Sequence, residues 1–157
     1  MQNKILIVED DVDLSTMYKI KFEKEWFEVK VADNWLTAVT LVTEFKPNAI
    51  LLDIMMPSMD GFETLRVIRE LAPSLNTKII MFSNLNSKDD IEKCMKLWAD
   101  AYLLKANTTP KDAVEKVRSM IWDNVTPINQ DIPSSKIIKE CPHCHKNVEV
   151  EINFKAI

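Results

Sequence analysis

Glycine is almost missing from this sequence: Gly61 is the single example in 157 residues, where average usage of about 7% would supply roughly eleven. The deficit excludes collagen-like chains. It also sits oddly with a fold full of turns, because glycine is the residue that takes positive φ at no steric cost. Long apolar runs are missing too, and none approaches the roughly 20 residues of a membrane span. There is no excess of basic charge: 20 Lys and Arg face 24 Asp and Glu, a net charge of −4. That balance gives no support for nonspecific nucleic-acid binding, which runs on cations paired with phosphate. The opening segment MQNKILIVEDD turns acidic after a short apolar block, so it is not read as a signal peptide and a cytoplasmic protein is expected. What is present is ample material for a core. The chain is 46% apolar and 28% charged, which excludes disorder, and its length suits one domain plus a tail.

Short apolar runs alternate with helical patterns. Ile5-Leu6-Ile7-Val8 is an aliphatic block ending in acids, which predicts a buried strand. Leu14, Tyr18 and Phe22 recur at i+4 with Met17 beside them, predicting one face of a helix. Phe27, Val29 and Val31 alternate as in a strand, and Asn34 offers an N-cap to a helix carrying Ala38, Leu41, Val42 and Phe45 before Pro47. Ala49 to Leu52 predicts a third strand, and Phe62, Leu65, Ile68 and Leu71 line a third helix. Ile79 to Phe82 predicts the fourth strand. Ser87 and Asp90 have capping-box spacing ahead of Ile91, Met95 and Trp98, while Cys94 falls in the core of that helix. Ala101 to Leu104 predicts the fifth strand, and Thr109-Pro110 opens a helix carrying Ala113, Val114, Val117 and Ile121. Near-continuous apolar strands alternating with helices predict an α/β fold whose parallel sheet is covered on both faces. Residues 123–140 turn to Asn, Thr, Pro, Gln and Ser and read as a linker. The domain organisation expected is therefore 1–122, a linker over 123–140, and a short tail over 141–157.

The chemistry-bearing residues fall just past the carboxyl ends of the strands, where ligands of open α/β sheets bind. Glu9, Asp10 and Asp11 follow the first strand, Asp53 the third, Ser83 the fourth and Lys105 the fifth. Carboxylates gathered there repel one another unless a hard cation joins them, and Mg²⁺ suits such a set because it takes a few carboxylate oxygens and keeps several waters. Lys105 could neutralise an anion on Asp53, and Ser83 could donate a hydrogen bond to it. An acid after a strand is commonly only a helix cap or a solvated turn. Agreement across four strand ends instead predicts a metal-assisted site for a carboxylate nucleophile, consistent with phosphoryl transfer.

The segments Ile5-Leu6-Ile7-Val8-Glu9-Asp10-Asp11, Leu51-Leu52-Asp53-Ile54-Met55-Met56-Pro57, Met59-Asp60-Gly61-Phe62-Glu63, Ile80-Met81-Phe82-Ser83-Asn84 and Tyr102-Leu103-Leu104-Lys105 together resemble the receiver domain of bacterial two-component response regulators. The resemblance covers Met1 to about Trp122 and is closest to the single-domain, chemotaxis-regulator kind. It implies a flavodoxin-like, doubly wound sheet of five parallel strands in the order 2-1-3-4-5 with five helices, followed by the cysteine-containing tail. It implies that Asp53 accepts a phosphoryl group from a histidine kinase or phosphotransfer protein. Glu9, Asp10, Asp53 and the Met55 backbone carbonyl would hold Mg²⁺, and Lys105 would pair with the phosphoryl oxygens. Ser83 and Tyr102 would form the switch that alters a protein-interaction face for a downstream effector. The implied protein is a regulatory phosphoacceptor rather than an enzyme, with no direct nucleic-acid contact and no membrane insertion. Two departures from the pattern are Asn84, where a small residue is usual, and Ala106, where proline is common. A metal-dependent phosphohydrolase built on the same carboxylates is the alternative, although Ile54 and Met55 follow Asp53 where aspartate-nucleophile phosphatases carry Asp-x-Asp.

The tail Cys141-Pro142-His143-Cys144-His145-Lys146 is a C-x-x-C flanked by histidines, ahead of the alternating Val148, Val150, Ile152 and Phe154. The alternation reads as a hairpin or strand. Cys141 and Cys144 form half of a four-ligand zinc set; His145 or a second chain would have to complete it, and a metal-free knuckle is the other reading. A tail-mediated zinc scaffold is the corresponding function hypothesis.

The four tryptophans stand where the receiver pattern commonly has glycine or where a helix ends. Trp26 precedes the second strand, Trp35 follows Asp33-Asn34, Trp98 closes the fourth helix, and Trp122 ends the last. The coincidence predicts that the gene is read in a cell where UGA encodes glycine, and that strain is concentrated at Trp26 and Trp98 when tryptophan is present.

Overall fold

Alternate residues of one short aliphatic strand enter two different cores. The computed structural model describes residues 2–56, 59–71, 76–122, 135–140 and 147–152. Strand β1 (Lys4–Val8) is flanked by β2 (Glu28–Ala32) and β3 (Ala49–Leu52), followed by β4 (Lys78–Ser83) and β5 (Ala101–Leu104). All four pairings are parallel and give the order β2-β1-β3-β4-β5. Leu6, Val8, Ile50, Leu52, Ile79 and Met81 face one side, and Ile5, Ile7, Ala49, Leu51, Ile80 and Phe82 face the other. The first set packs on α2 (Trp35–Phe45), α3 (Gly61–Leu71) and α4 (Lys88–Lys96), and the second on α1 (Val12–Lys24) and α5 (Pro110–Trp122). A strand buried on both faces has no polar side, which explains the unbroken apolar runs. The doubly wound, flavodoxin-like fold expected from the sequence is the one observed.

Beyond α5, strands β6 (Ser135–Glu140) and β7 (Asn147–Ile152) pair antiparallel, and β7 joins the free edge of β5 through Ala101 and Glu151. The span read as linker thus holds a strand in its last six residues. Cys141, Cys144 and His145 lie outside the described residues. No helix among the described residues is long and apolar enough to cross a membrane.

The helix starts follow their caps. Asp11 accepts the Leu14 N–H, Asn34 the Thr37 N–H, and Ser87 the Asp90 N–H. At α5, Thr109 Oγ1 accepts the Asp112 N–H while Asp112 accepts from the Thr109 N–H and hydroxyl, a reciprocal box. Met17, expected on the apolar face of α1, is 44% exposed, and Ser15 is buried in its neighbourhood instead. The helix turns Tyr18 and Phe22 inward, which leaves Met17 on the outer face.

Left-handed backbone occurs at Trp26 (φ 66°), Lys46 (φ 50°) and Trp98 (φ 68°). The strain expected at Trp26 and Trp98 is therefore present. Trp35 and Trp122 carry no such strain: Trp35 opens α2 behind its cap, Trp122 is the last residue of α5, and neither takes positive φ.

At the amino ends of the strands, Arg69 clasps three segments. Its Nε donates to the Trp98 carbonyl at 2.9 Å, Nη1 to the Thr77 carbonyl at 3.0 Å, and Nη2 to the Asp100 carboxylate. Asp100 also accepts the Ile79 N–H at 2.8 Å and is 7% exposed.

Candidate functional site

The ladder that ends β1 and β3 places the acids. Glu9 N–H donates to Ala32 O at 2.9 Å, and Asp53 N–H donates to Val8 O at 3.0 Å, so both residues leave the sheet from adjacent strands at one level. Glu9, Asp10 and Asp53 each bring a carboxylate oxygen to within 4.8 Å of the others. Glu9 and Asp53 are each only 3% exposed, while Asp10 faces solvent. Asp11, the third acid of the run, is turned away from this group to cap α1.

Lys105, from the turn after β5, closes the pocket. Its Nζ lies 2.8 Å from Asp53 Oδ2 and 2.6 Å from Glu9 Oε2. Burial alone would depress this lysine, but the hydrogen bonds and charges of Asp53 and Glu9 outweigh it and hold the ammonium above its ordinary value. Glu9 moves upward, because burial and the neighbouring Asp53 charge outweigh the lysine. Its Oε2 is buried without a well-oriented hydrogen bond, although the ammonium is close. One lysine therefore serves two buried carboxylates, and a third opens to water beside them. A hard cation taking carboxylate oxygens and water fits this donor set.

Asp53 is held on its other side by the segment that follows. Oδ1 accepts the Met55 N–H at 3.0 Å, and the Gly61 N–H bonds to Ile54 O at 3.0 Å. A Cβ at Gly61 would lie 2.4 Å from Asp53 O and 2.4 Å from Ile54 Cα. The start of α3 can approach the Asp53 backbone only because residue 61 has no side chain. The sequence marks Gly61 as the lone glycine of the chain, and the contact with the Asp53 backbone is what requires it.

Ser83 ends β4 fully buried, and its Oγ accepts the Leu85 N–H at 3.4 Å. Tyr102, on neighbouring β5, donates its hydroxyl to Leu85 O at 2.6 Å with its ring in the α2–α3–α4 core. The two side chains converge on the backbone of one residue in the β4–α4 loop. No sequence signal marks Leu85, since its contribution is made by its backbone. Asn84 points to solvent, and the described residues contain no cis peptide.

Residues 5–118 match the family described as the response regulator receiver domain. The chain belongs to this family. Among curated proteins it is 29% identical over 152 residues to the DNA-binding response regulator MtrA of Mycobacterium leprae, covering 91% of this chain and 66% of that one. It is 31% identical over 144 residues to the transcriptional regulatory protein SrrA of Staphylococcus aureus, covering 91% and 58%. The chain thus spans less than two thirds of the length of these relatives. A CheY-like receiver domain protein from Methanospirillum hungatei superimposes with a TM-score of 0.73 at 29% identity, over 78% of this chain and 96% of that one. Receiver domains are regulatory phosphoacceptors that bind Mg²⁺ at an acidic pocket. The Glu9–Asp10–Asp53 group is the acidic cluster among the described residues able to hold a metal.

Proposed function

We propose that this receiver domain takes a phosphoryl group on Asp53 from a histidine kinase or phosphotransfer protein, and transmits the change through Ser83 and Tyr102. The observation that carries the reading is the position of Lys105, which bridges Asp53 at 2.8 Å and Glu9 at 2.6 Å beside the exposed Asp10. In the reaction, an Asp53 carboxylate oxygen bonds to phosphorus as the phosphorus–nitrogen bond of the phosphohistidine breaks, and the electron pair stays on the imidazole nitrogen. Lys105 would pair with the new phosphoryl oxygens. Glu9, Asp10, Asp53 and the Met55 carbonyl would hold Mg²⁺, which supplies charge neutralisation on the phosphoryl group when bound. Ser83 would donate its hydroxyl to a phosphoryl oxygen, and a shift of the β4–α4 loop, whose Leu85 bonds to both Ser83 and Tyr102, would reach Tyr102. The domain would act as a switch rather than turn over an external phosphoester, since the residues after Asp53 are Ile54 and Met55.

Receiver function is proposed for residues 1–122, with 123–140 as connector and 141–157 as a separate tail. Zinc on Cys141, Cys144 and His145 has only the C-x-x-C spacing behind it. Output through an effector protein is the first reading. Output on DNA is a second one, favoured by the names of the curated relatives.

Incubation with Mg²⁺ and acetyl phosphate, or with a phosphorylated kinase, tests the proposal. An acid-stable, alkali-labile phosphoprotein is expected, lost in Asp53→Ala and on chelation of the metal. Label retained in Asp53→Ala would overturn it.

A further inference from the structure

Two helices of this protein end in the same hydrogen-bonded motif, and each carries tryptophan at the position the motif reserves for glycine. After α1, the Trp26 N–H bonds to Glu23 O at 3.1 Å and the Phe27 N–H reaches back to Phe22 O at 3.1 Å. After α4, the Trp98 N–H bonds to Met95 O at 3.2 Å and the Ala99 N–H to Cys94 O at 3.1 Å. Both pairs are complete Schellman caps, which need a left-handed residue immediately after the cap. The apolar contact that accompanies the motif is also present, with the Phe27 and Phe22 rings edge to face at 5.4 Å.

Left-handed backbone crowds any Cβ against the following carbonyl, and a bulky side chain offers no local hydrogen bond in return. At Trp26 the indole recovers nothing by packing, being 82% exposed. Lys46 shows that a non-glycine residue can end a helix this way. Yet of the three non-glycine residues with positive φ among the described residues, two are tryptophans, from a chain with four tryptophans and one glycine in 157 residues. Chance placement of a rare, bulky residue does not account for that.

We infer that positions 26 and 98 are glycine in the native protein, because the cell of origin reads UGA as glycine. Trp35 and Trp122 lie on helical backbone, so they join the inference only through a shared codon. The consequence for the gene is concrete. In a cell using the standard code, UGA at codon 26 stops translation after Glu25, before β2 is made.

Codons and native peptide masses decide the matter. TGA at codons 26 and 98, with peptides from the source cells carrying the mass of glycine there, is the expected result. TGG at either codon, or tryptophan in either native peptide, overturns the inference. The structural side is read in protein made recombinantly from a recoded gene. Trp26→Gly is expected to raise the folded-to-unfolded ratio roughly three- to tenfold, after allowing for the extra freedom glycine gives the unfolded chain. Trp35→Gly, on right-handed backbone, is expected to lower it. A Trp26→Gly protein less stable than its parent would remove the argument from strain.

Discussion

The ammonium of Lys105 sits 2.8 Å from the carboxylate of Asp53, a residue 52 positions earlier in the chain, and the same ammonium reaches Glu9. Neither residue is more than 3% exposed, so this lysine is the counter-charge that makes a cluster of acids tolerable before any metal enters.

Removing it leaves two buried carboxylates unpaired. Lys105→Met is expected to cost about 3 kcal/mol in metal-free unfolding, the range seen when one partner of a buried pair is lost. Mg²⁺ is expected to restore more stability to this variant than to the parent, because the cation then has no lysine to share the oxygens with. Urea unfolding with and without Mg²⁺ reads both effects; equal stability of parent and variant without metal would contradict the pairing.

Gly61 tests how closely α3 must approach the acceptor. A Cβ there would meet the Asp53 carbonyl and Ile54 Cα, both at 2.4 Å, and backbone atoms cannot step aside as a flexible side chain can. Gly61→Ala is expected to destabilise by about 1–3 kcal/mol and to slow phosphoryl uptake as the acceptor backbone shifts. Unchanged uptake kinetics would separate Gly61 from the site.

The Arg69 clasp lies at the other end of the sheet and should matter for the fold alone. Arg69→Ala would leave Asp100 with Lys78 at 3.5 Å and the Ile79 N–H as its partners. The expected cost is about 2 kcal/mol, with phosphoryl uptake by the remaining folded protein unchanged. A lowered uptake rate at full folding would show coupling across the sheet.

Alkaline unfolding follows from buried groups that stay neutral. Burial pushes the Cys94 thiol up from 9.0 to about 12 and the Tyr18 hydroxyl from 10.0 to about 12. Both groups ionise more readily in the unfolded chain, so their contribution is complete below pH 9 and is lost as pH rises toward 12. Stability is expected to fall by about 1 kcal/mol per pH unit for each group in that window, and more gently in Cys94→Ala. Peptide mapping after iodoacetamide at neutral pH should find Cys94 unmodified until denaturant is added.

Much of this protein could be read from its residues in order. The four aliphatic blocks and the alternating second strand, the caps Asn34, Ser87 and Thr109, and the polar residues that follow the strands are local signals, because period, cap chemistry and strand length act over a few residues. Glu9, Asp10, Asp53, Ser83 and Lys105 are legible as candidates for the same reason: each stands at or just beyond the carboxyl end of a strand. Of the four tryptophans, Trp26 and Trp98 are legible as strained from their places at helix ends, and the backbone angles bear this out.

Tertiary structure decided what local signals do not encode. It divided the acids, leaving Asp11 to cap α1 while Glu9 and Asp53 were drawn under one lysine. It set Gly61 against the Asp53 backbone, and it brought Ser83 and Tyr102 to the backbone of Leu85. It also distributed Ile5 and Leu6, adjacent and both aliphatic, to opposite cores. The physical reason is common to all of these. Which residues exist at a strand end is a property of the chain, whereas the few ångströms between oxygens on β1 and β3 and a nitrogen beyond β5 are set by parallel pairing of strands far apart in sequence, packed between two layers of helices.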